Sequence, residues 1–188
     1  PYDVEWLKYK YAKTPKEPRV YSLIHGRASA YDKTLLLFND LYRTYPRFER
    51  WLNRYRFIQK KDIEYNMFML SPTRDWIKIL DPIEPLSEYY KYLAESYVFI
   101  DEYPAYSQSH ATLDAVSCGT PTLSHQFNSA AVTCCPELAC RPYHVVEWKQ
   151  KLHQLLDDEQ YYEDCRETGL RNVDHYGFES YYEQLLKI

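Results

Sequence analysis

Glycine is scarce in this sequence, with only four among 188 residues. Phosphate-binding loops of the forms G-x-G-x-x-G and G-x-x-x-x-G-K-[ST] need glycines close together, and neither pattern occurs. The shortage therefore argues against a standard dinucleotide or ATP site. Long apolar runs are also lacking, so the sequence contains no candidate membrane span, and its opening PYDVEWLKYK does not resemble a signal peptide.

An excess of positive charge is missing as well. The net charge is −4, which excludes a broad basic face for nucleic acid and leaves room only for a local anion site. The five cysteines are odd in number and form no C-x-x-C pair, so neither a disulfide framework nor a zinc site is expected. Reduced thiols fit a cytoplasmic protein. No spacing of His, Asp and Glu is typical of a metal site, and we expect no cofactor.

Short apolar segments alternate with amphipathic ones along most of the chain. This alternation predicts an α/β fold with one Rossmann-like, doubly wound parallel sheet of about six strands. The predicted strands are 19–24, 76–80, 98–101 and 121–125, with 54–59 and 66–70 as competing candidates between the first two. The predicted helices are 32–45, 88–97 with Ser87 as N-cap, 109–119, one beginning near Val145, 159–173 and 178–188. Residues 1–17 are polar and mixed, which predicts a linker or tail.

The stretch GRASAYDK joins the first predicted strand to the first helix. Arg27 follows the turn at Gly26, and Lys33 lies in the first turn of the helix. If both side chains lean over the edge of the sheet, they clamp a diphosphate from two sides. The alternative is that both are solvated surface residues.

A second polar turn, AYSQSHATLD, opens the helix over 109–119. Backbone N–H groups at a helix start bind phosphate readily, and Asp114 one turn later can accept hydrogen bonds from a ribose diol. The alternative is that Ser109 only caps the helix and Asp114 only complements its dipole. His110 either donates to a phosphate or packs on the preceding strand, and His25 and His125 are expected to fill strand ends.

The two turns, together with the segments downstream of them, resemble the C-terminal donor-binding domain of GT-B fold glycosyltransferases, family 4-like (glycosyl transferases group 1). The resemblance covers about residues 18–188. It rests on G-R followed by K six residues later, and on four further segments in the family's order. These segments are WIKILDPIEPLSEYYKYLAESYVFI, LDAVSCGTPTLS, VVEWKQKLHQLLDDEQYYEDCRETG and YGFESYYEQLL.

The resemblance implies a nucleotide-sugar donor and hexosyl transfer with retention. Arg27 and Lys33 would hold the diphosphate, and Asp114 would bind the ribose hydroxyls. The phosphates or the sugar would face Ser107, Gln108, Ser109 and His110. The nucleobase would meet the turn of Asp81, Pro82 and Ile83.

The sequence departs from the family pattern at three positions. Tyr106 stands where the first of two paired glutamates is expected, Asp114 shortens the second, and Thr34 replaces a glycine. The segment IDEYPAYSQSHATLDA is also similar to the O-GlcNAc transferase group. The donor sugar and the stereochemical outcome therefore stay open.

In this family the donor half is preceded by an acceptor-binding domain. We therefore expect residues 1–17 to lead in from that missing domain, 18–172 to form the donor-binding domain, and 173–188 to form the closing helix. The partners would be a nucleotide sugar and the acceptor domain, with peripheral membrane contact left open, and the fragment alone would be inactive. The alternatives are a GT-B-like interaction module without catalysis and a nucleotide-sugar epimerase of the same fold.

Overall fold

The computed structural model describes residues 3–24, 32–54, 59–61, 63–64, 76–102 and 108–186. Six strands occur in these ranges: β1 Glu17–Ile24, β2 Glu49–Arg54, β3 Lys78–Leu80, β4 Ser96–Asp101, β5 Thr122–His125 and β6 Ala139–Cys140. The helices whose bounds are described are α1 Val4–Tyr11, α2 Asp32–Thr44, α3 Leu86–Glu95, α4 His110–Ser117, α5 Ser129–Cys134, α6 Val145–Asp157, α7 Glu159–Asn172 and α8 Phe178–Leu185. Short 3-10 turns span Pro136–Leu138 and Val173–Tyr176.

The strands form one sheet in the order β3-β2-β1-β4-β5-β6, and every neighbouring pair is parallel. The chain adds strands outward on one side of β1 and then returns to add β4 on its other side. This reversal between β1 and β4 is the switch point of a doubly wound sheet, where the carboxyl ends of the strands leave a crevice. The prediction of a single Rossmann-like sheet with about six strands is confirmed.

Alternate strand residues pack on opposite faces of the sheet. Val20, Leu52 and Val98 join the core under α2 and α6, whereas their chain neighbours Tyr21, Trp51 and Phe99 join the core under α1 and α3. The two-residue period of a strand produces this division, and it explains why the central strands are apolar on both sides.

Helix α1 corrects the prediction of a polar tail over residues 1–17. Val4, Leu7 and Tyr11 are buried in the core, while the polar residues between them face outward. The spacing of three and four residues is that of an amphipathic helix, and the Asp3 side chain caps its start by accepting from the Trp6 N–H. Residues 12–16 connect α1 to β1. Whether the segment also leads in from an acceptor domain stays a prediction.

The end of α4 requires a glycine. Gly119 has a φ of +71°, and a Cβ built on it would lie 2.8 Å from the Ala12 carbonyl oxygen. The predicted helix stop at Gly119 is therefore correct, and the glycine also lets the chain after α1 approach α4 closely.

The structure also differs from prediction in the place of one strand, the cap of one helix and two short elements. The second strand lies at Glu49–Arg54, so the candidate at 54–59 touches it only at Arg54, and the candidate at 66–70 lies outside the described residues. Pro85 rather than Ser87 occupies the N-cap of α3, and Ser87 lies inside the first turn. Helix α5 and strand β6 were not predicted, because each is short.

None of the helices in the described ranges combines the length and the apolar character that crossing a bilayer requires. Within those ranges, no group of three His, Cys, Asp or Glu side chains is arranged to hold a metal ion. All five cysteines are free and buried.

Candidate functional site

The predicted site residues that the structure describes lie around the carboxyl edge of the sheet. Lys33 lies in the first turn of α2 after β1, Asp81 follows β3, and Ser109 precedes α4 after β4. Because all six strands are parallel, these positions share one edge, and β1 and β4 are direct neighbours there. Gly26, Arg27, Tyr106 and Ser107 lie outside the described residues, so their predicted roles stay predictions.

Glu102 occupies the switch point, although it was not among the predicted site residues. It follows β4, yet its carboxylate caps α2, which follows β1. Its Oε2 accepts from the Thr34 N–H and the Thr34 hydroxyl, both at 2.6 Å, and its Oε1 accepts from the Lys33 N–H at 3.2 Å. The carboxylate thus takes N–H donors that an anion at a helix N-terminus would use.

Lys33 points toward this carboxylate. Its Nζ lies 3.5 Å from Glu102 Oε1 and 4.2 Å from the centre of the Trp148 ring of α6. The distance to Glu102 is longer than an ordinary hydrogen bond, so the ion pair is loose. The Lys33 side chain is 13 % exposed. Lys33 is therefore not a solvated surface residue, and its predicted clamp with Arg27 stays a prediction.

Burial controls the ionisation of both partners. It raises the pKa of Glu102 to about 7, although Lys33 and the hydrogen bonds from Thr34 act in the opposite direction. Burial also lowers the pKa of Lys33, which Glu102 partly offsets. The two shifts have the same origin, because removing water disfavours the charged form of each group.

A buried polar network fixes the start of α4 against the sheet. The Asp101 carboxylate accepts hydrogen bonds from the Ser109 hydroxyl, from the Thr112 hydroxyl at 2.7 Å and from the Asn128 amide at 3.3 Å. The Asn128 amide also donates to Ser124 Oγ at 3.0 Å, and Ser124 Oγ donates to the Asp101 carbonyl at 2.8 Å. Since Asp101 ends β4, this network holds the first turn of α4 at the carboxyl edge.

The first turn of α4 has a capping role as well as a position at the site. Ser109 is the N-cap, and its hydroxyl accepts from the Thr112 N–H. Gln108 and His110 are exposed on either side of it. The structural interpretation of Ser109 as a cap is therefore correct, while the predicted contacts of Gln108 and His110 with phosphate or sugar stay predictions.

Asp114 lies one turn into α4 and is 8 % exposed. Among the described residues, no group donates a hydrogen bond to its carboxylate and no cation pairs with it. Burial alone raises the pKa of Asp114 to about 7. Buried carboxylates are normally paired, so an unpartnered one indicates a missing hydrogen-bond donor or a stability cost.

The turn after β3 contains the three residues predicted to meet the base. Asp81 is exposed, and its Oδ1 accepts from Arg54 Nε at 2.9 Å and Arg54 Nη2 at 2.7 Å. Pro82 is exposed, and Ile83 is half-buried against the core under α1 and α3. The Arg54–Asp81 pair joins the carboxyl ends of β2 and β3. The contact with a nucleobase stays a prediction.

His125 is described at the end of β5, and His25 lies outside the described residues. The His125 side chain is buried, and its Nδ1 accepts from the Phe127 N–H at 3.1 Å. This placement agrees with its predicted role in filling a strand end.

A scan against protein-family models gives no match, and a search of curated proteins gives none. Solved structures do match. The C-terminal domain of a glycosyl transferase group 1 family protein (LpcC) from Francisella tularensis is 11 % identical with a TM-score of 0.74, over 95 % of this chain and 100 % of that chain. A mutant of S. aureus TarM, in complex with fondaparinux, alpha-GlcNAc-glycerol and UDP, is 11 % identical with a TM-score of 0.73.

The alignment with TarM covers 95 % of this chain and 36 % of that one. UDP-GlcNAc 2-epimerase from Neisseria meningitidis, bound to UDP-GlcNAc, is 16 % identical with a TM-score of 0.63, over 98 % of this chain and 48 % of that chain. At these identities the likeness concerns the fold. The chain therefore has the fold of the C-terminal domain of GT-B glycosyltransferases, as its sequence resemblance implied, and it spans less than half of the TarM and epimerase chains.

Proposed function

We propose that the chain binds a nucleoside diphosphate sugar at the carboxyl edge of its sheet and serves as the donor half of a glycosyltransferase. The single observation that carries this proposal is Asp114, a buried carboxylate without a partner among the described residues. A ribose diol offers two O–H donors, which is what such a carboxylate lacks.

The position of Asp114 supports a ligand that bridges the switch point. Asp114 belongs to α4, whose start is fixed beside the end of β4, and Lys33 lies in the first turn of the helix that follows β1. Because β1 and β4 are neighbours, the diphosphate attached to a ribose at Asp114 would lie near Lys33. The matching structures solved with UDP or UDP-GlcNAc support the same ligand class.

Calorimetry with UDP, GDP and ADP tests the proposal and identifies the base. We expect one of the three to bind, and the Asp114→Asn variant to bind it more weakly by about 1–3 kcal/mol, the cost of an unsatisfied hydrogen-bonding group. The 2′-deoxy nucleotide should bind the parent chain weakly, and the variant should then lose little more. The two losses should not add, because they remove the same contact.

A matched control is Asp164→Asn on the exposed side of α7, where the same change should leave binding unaltered. Additive losses for Asp114→Asn and the deoxy ligand would mean that Asp114 does not hold the ribose. If none of the three nucleotides binds, the result counts against the proposal and favours an interaction module of the same fold.

The likeness to a UDP-GlcNAc 2-epimerase favours nucleotide-sugar epimerisation as a second candidate. Both functions require the same nucleotide site, so binding alone does not separate them. Incubation of the chain with the sugar nucleotide of the base that binds would distinguish them by product. An epimerised sugar would favour the epimerase over the donor half of a transferase.

A further inference from the structure

The carboxylate of Glu102 lies where a diphosphate would otherwise meet α2. It accepts from two backbone N–H groups of the first turn and from the Thr34 hydroxyl, and it lies 3.5 Å from Lys33 Nζ. In a doubly wound fold this crevice is the usual place for a ligand. An anion approaching Lys33 therefore meets a negative charge as well as a positive one.

We propose that Glu102 takes up a proton when the diphosphate of a nucleotide sugar binds beside Lys33, so that binding at this edge is coupled to the neutralisation of Glu102. The inference rests on the proposed function, because it concerns the same ligand. The proton comes from solvent and goes to Oε1 of Glu102, and no other bond forms or breaks. The Lys33 ammonium, released from its ion pair, then faces the diphosphate with its full charge.

The two carboxylate oxygens of Glu102 have different roles: Oε2 caps α2, and Oε1 takes the proton. Oε2 receives both short hydrogen bonds from Thr34, at 2.6 Å each, and these hold the cap of α2. Oε1 receives only the longer contacts from Lys33, at 3.2 Å and 3.5 Å. A proton on Oε1 therefore leaves the cap in place and turns that oxygen from an acceptor into an O–H donor for a phosphate oxygen.

The electrostatic surroundings of Glu102 permit the change near neutral pH. Burial already raises the pKa of Glu102 to about 7, and a nearby anion raises the pKa of a carboxyl further. Lys33 is the charged group of α2 that acts on Glu102, and Lys33 is itself acted on by Cys140 of β6. Burial raises the pKa of the Cys140 thiol to about 12, so the thiol is neutral, and Trp148 of α6 carries no charge.

Calorimetry in two buffers of different ionisation enthalpy measures the protons taken up on binding. The probe is the nucleotide sugar whose base binds, because a diphosphate esterified at both ends has no ionisation near pH 7. The Glu102→Gln variant keeps an oxygen to cap α2 but cannot accept the proton. At about pH 7.5 we expect the parent to take up about 0.7 proton more than Glu102→Gln. Between about pH 6.5 and pH 8.5, the ligand affinity of the parent should fall by a factor about 20 times larger than that of Glu102→Gln.

The Glu167→Gln variant is the matched control, since it removes an exposed carboxylate from α7 and should behave as the parent does. A second measurement needs no variant at all. In spectra of the parent labelled with ¹³C at glutamate carboxyls, one buried carboxyl signal should move toward its protonated position when the ligand is added.

The outcomes separate the two proposals. Binding with equal proton uptake in the parent and Glu102→Gln, or a carboxyl signal that does not move, overturns the role of Glu102 and leaves the proposed function intact. If no nucleotide or nucleotide sugar binds, inorganic pyrophosphate becomes the probe. Pyrophosphate binding with a smaller proton uptake in Glu102→Gln than in the parent supports the coupling even though the proposed function has failed, and no pyrophosphate binding overturns both.

Discussion

Two buried carboxyls near the same sheet edge differ in what surrounds them. Glu102 has four hydrogen-bond or ion-pair contacts, with Lys33 and Thr34, whereas Asp114 has none among the described residues. Burial raises the pKa of both to about 7. The contacts of Glu102 hold α2 in place and therefore explain its presence in the folded chain. Asp114 does nothing comparable for the fold, which is why we assign it to a ligand.

This difference gives a stability prediction for Asp114→Asn. The pKa of Asp114 is about 7 in the folded chain and about 4 in the unfolded chain, so between these values only the folded state holds the proton. The free energy of unfolding therefore falls as the pH rises through this window, and the penalty is complete above pH 7. Replacing the carboxyl with an amide should remove the penalty and stabilise the chain by about 1–3 kcal/mol at pH 8.

Urea unfolding of the parent and Asp114→Asn at about pH 4.5 and pH 8 measures this effect. The variant should gain over the parent only at the higher pH, while it binds the nucleotide less well. A variant less stable than the parent at pH 8 would show that the protein itself compensates the charge of Asp114.

Some of the site could be predicted from sequence, and the limit has a physical cause. Lys33 and Asp114 could be proposed as site residues because each lies in the first turns of a helix that follows an apolar segment. Glu102 was missed although it ends such a segment, because its partner lies 68 residues earlier along the chain, on α2. Local periodicity locates a strand end, but only the strand order reveals which helix start lies beside it.

At the scale of elements, polar composition concealed two parts of the fold. Strand β2 reads ERWLNR and has only three buried residues, yet it lies between β1 and β3. Charged side chains of β2 and its neighbour make contacts within the structure. Arg50 donates to the Trp76 and Phe48 carbonyls at 2.6 Å and 2.7 Å, and Arg19 of the neighbouring β1 stacks 3.6 Å from the Trp51 ring. Such contacts make a polar segment compatible with an internal strand of the sheet. They produce no alternation of apolar and polar residues, so the sequence pattern does not predict them.

Helix α1 was missed for the same reason, and its contribution to stability can be tested. Leu7 is 2 % exposed on the inner face of α1, and Tyr9 is 92 % exposed on the outer face. Leu7→Ala should lower the free energy of unfolding by about 2–4 kcal/mol, the range for a buried leucine that leaves a cavity. Tyr9→Ala, a change on the same helix, should alter it by no more than about 0.5 kcal/mol.

Urea unfolding of the two variants gives the comparison directly. Equal and small losses would mean that α1 is detached from the domain in solution. The expectation of a tail would then be correct for residues 4–11.

For the whole molecule, the buried thiols set the response to alkali. All five cysteines are buried, and burial raises the pKa of every one of them, to about 11 for Cys165 and about 12 for Cys135 and Cys140. Lys16 acts in the opposite direction. Burial lowers its pKa to about 7, and its ammonium donates to the Ala94 carbonyl and the Thr120 hydroxyl, both at 2.7 Å.

The balance of these groups predicts that the chain loses stability above pH 8. An unfolded thiol ionises near pH 8.5, whereas the folded thiols keep their protons until about pH 11 or beyond. Between these values the unfolded state holds fewer protons, so the free energy of unfolding falls with rising pH, by about 2 kcal/mol per thiol between pH 8 and pH 10. Lys16 offsets about one thiol, because its folded pKa lies below its unfolded one.

Urea midpoints under reducing conditions should therefore drop steeply over this range. Cys140→Ala should reduce the drop by one thiol's share, and Ser117→Ala, an equally buried change without a titrating group, should leave it unchanged. An identical pH dependence in the parent and Cys140→Ala would show that the buried thiols do not cause the loss.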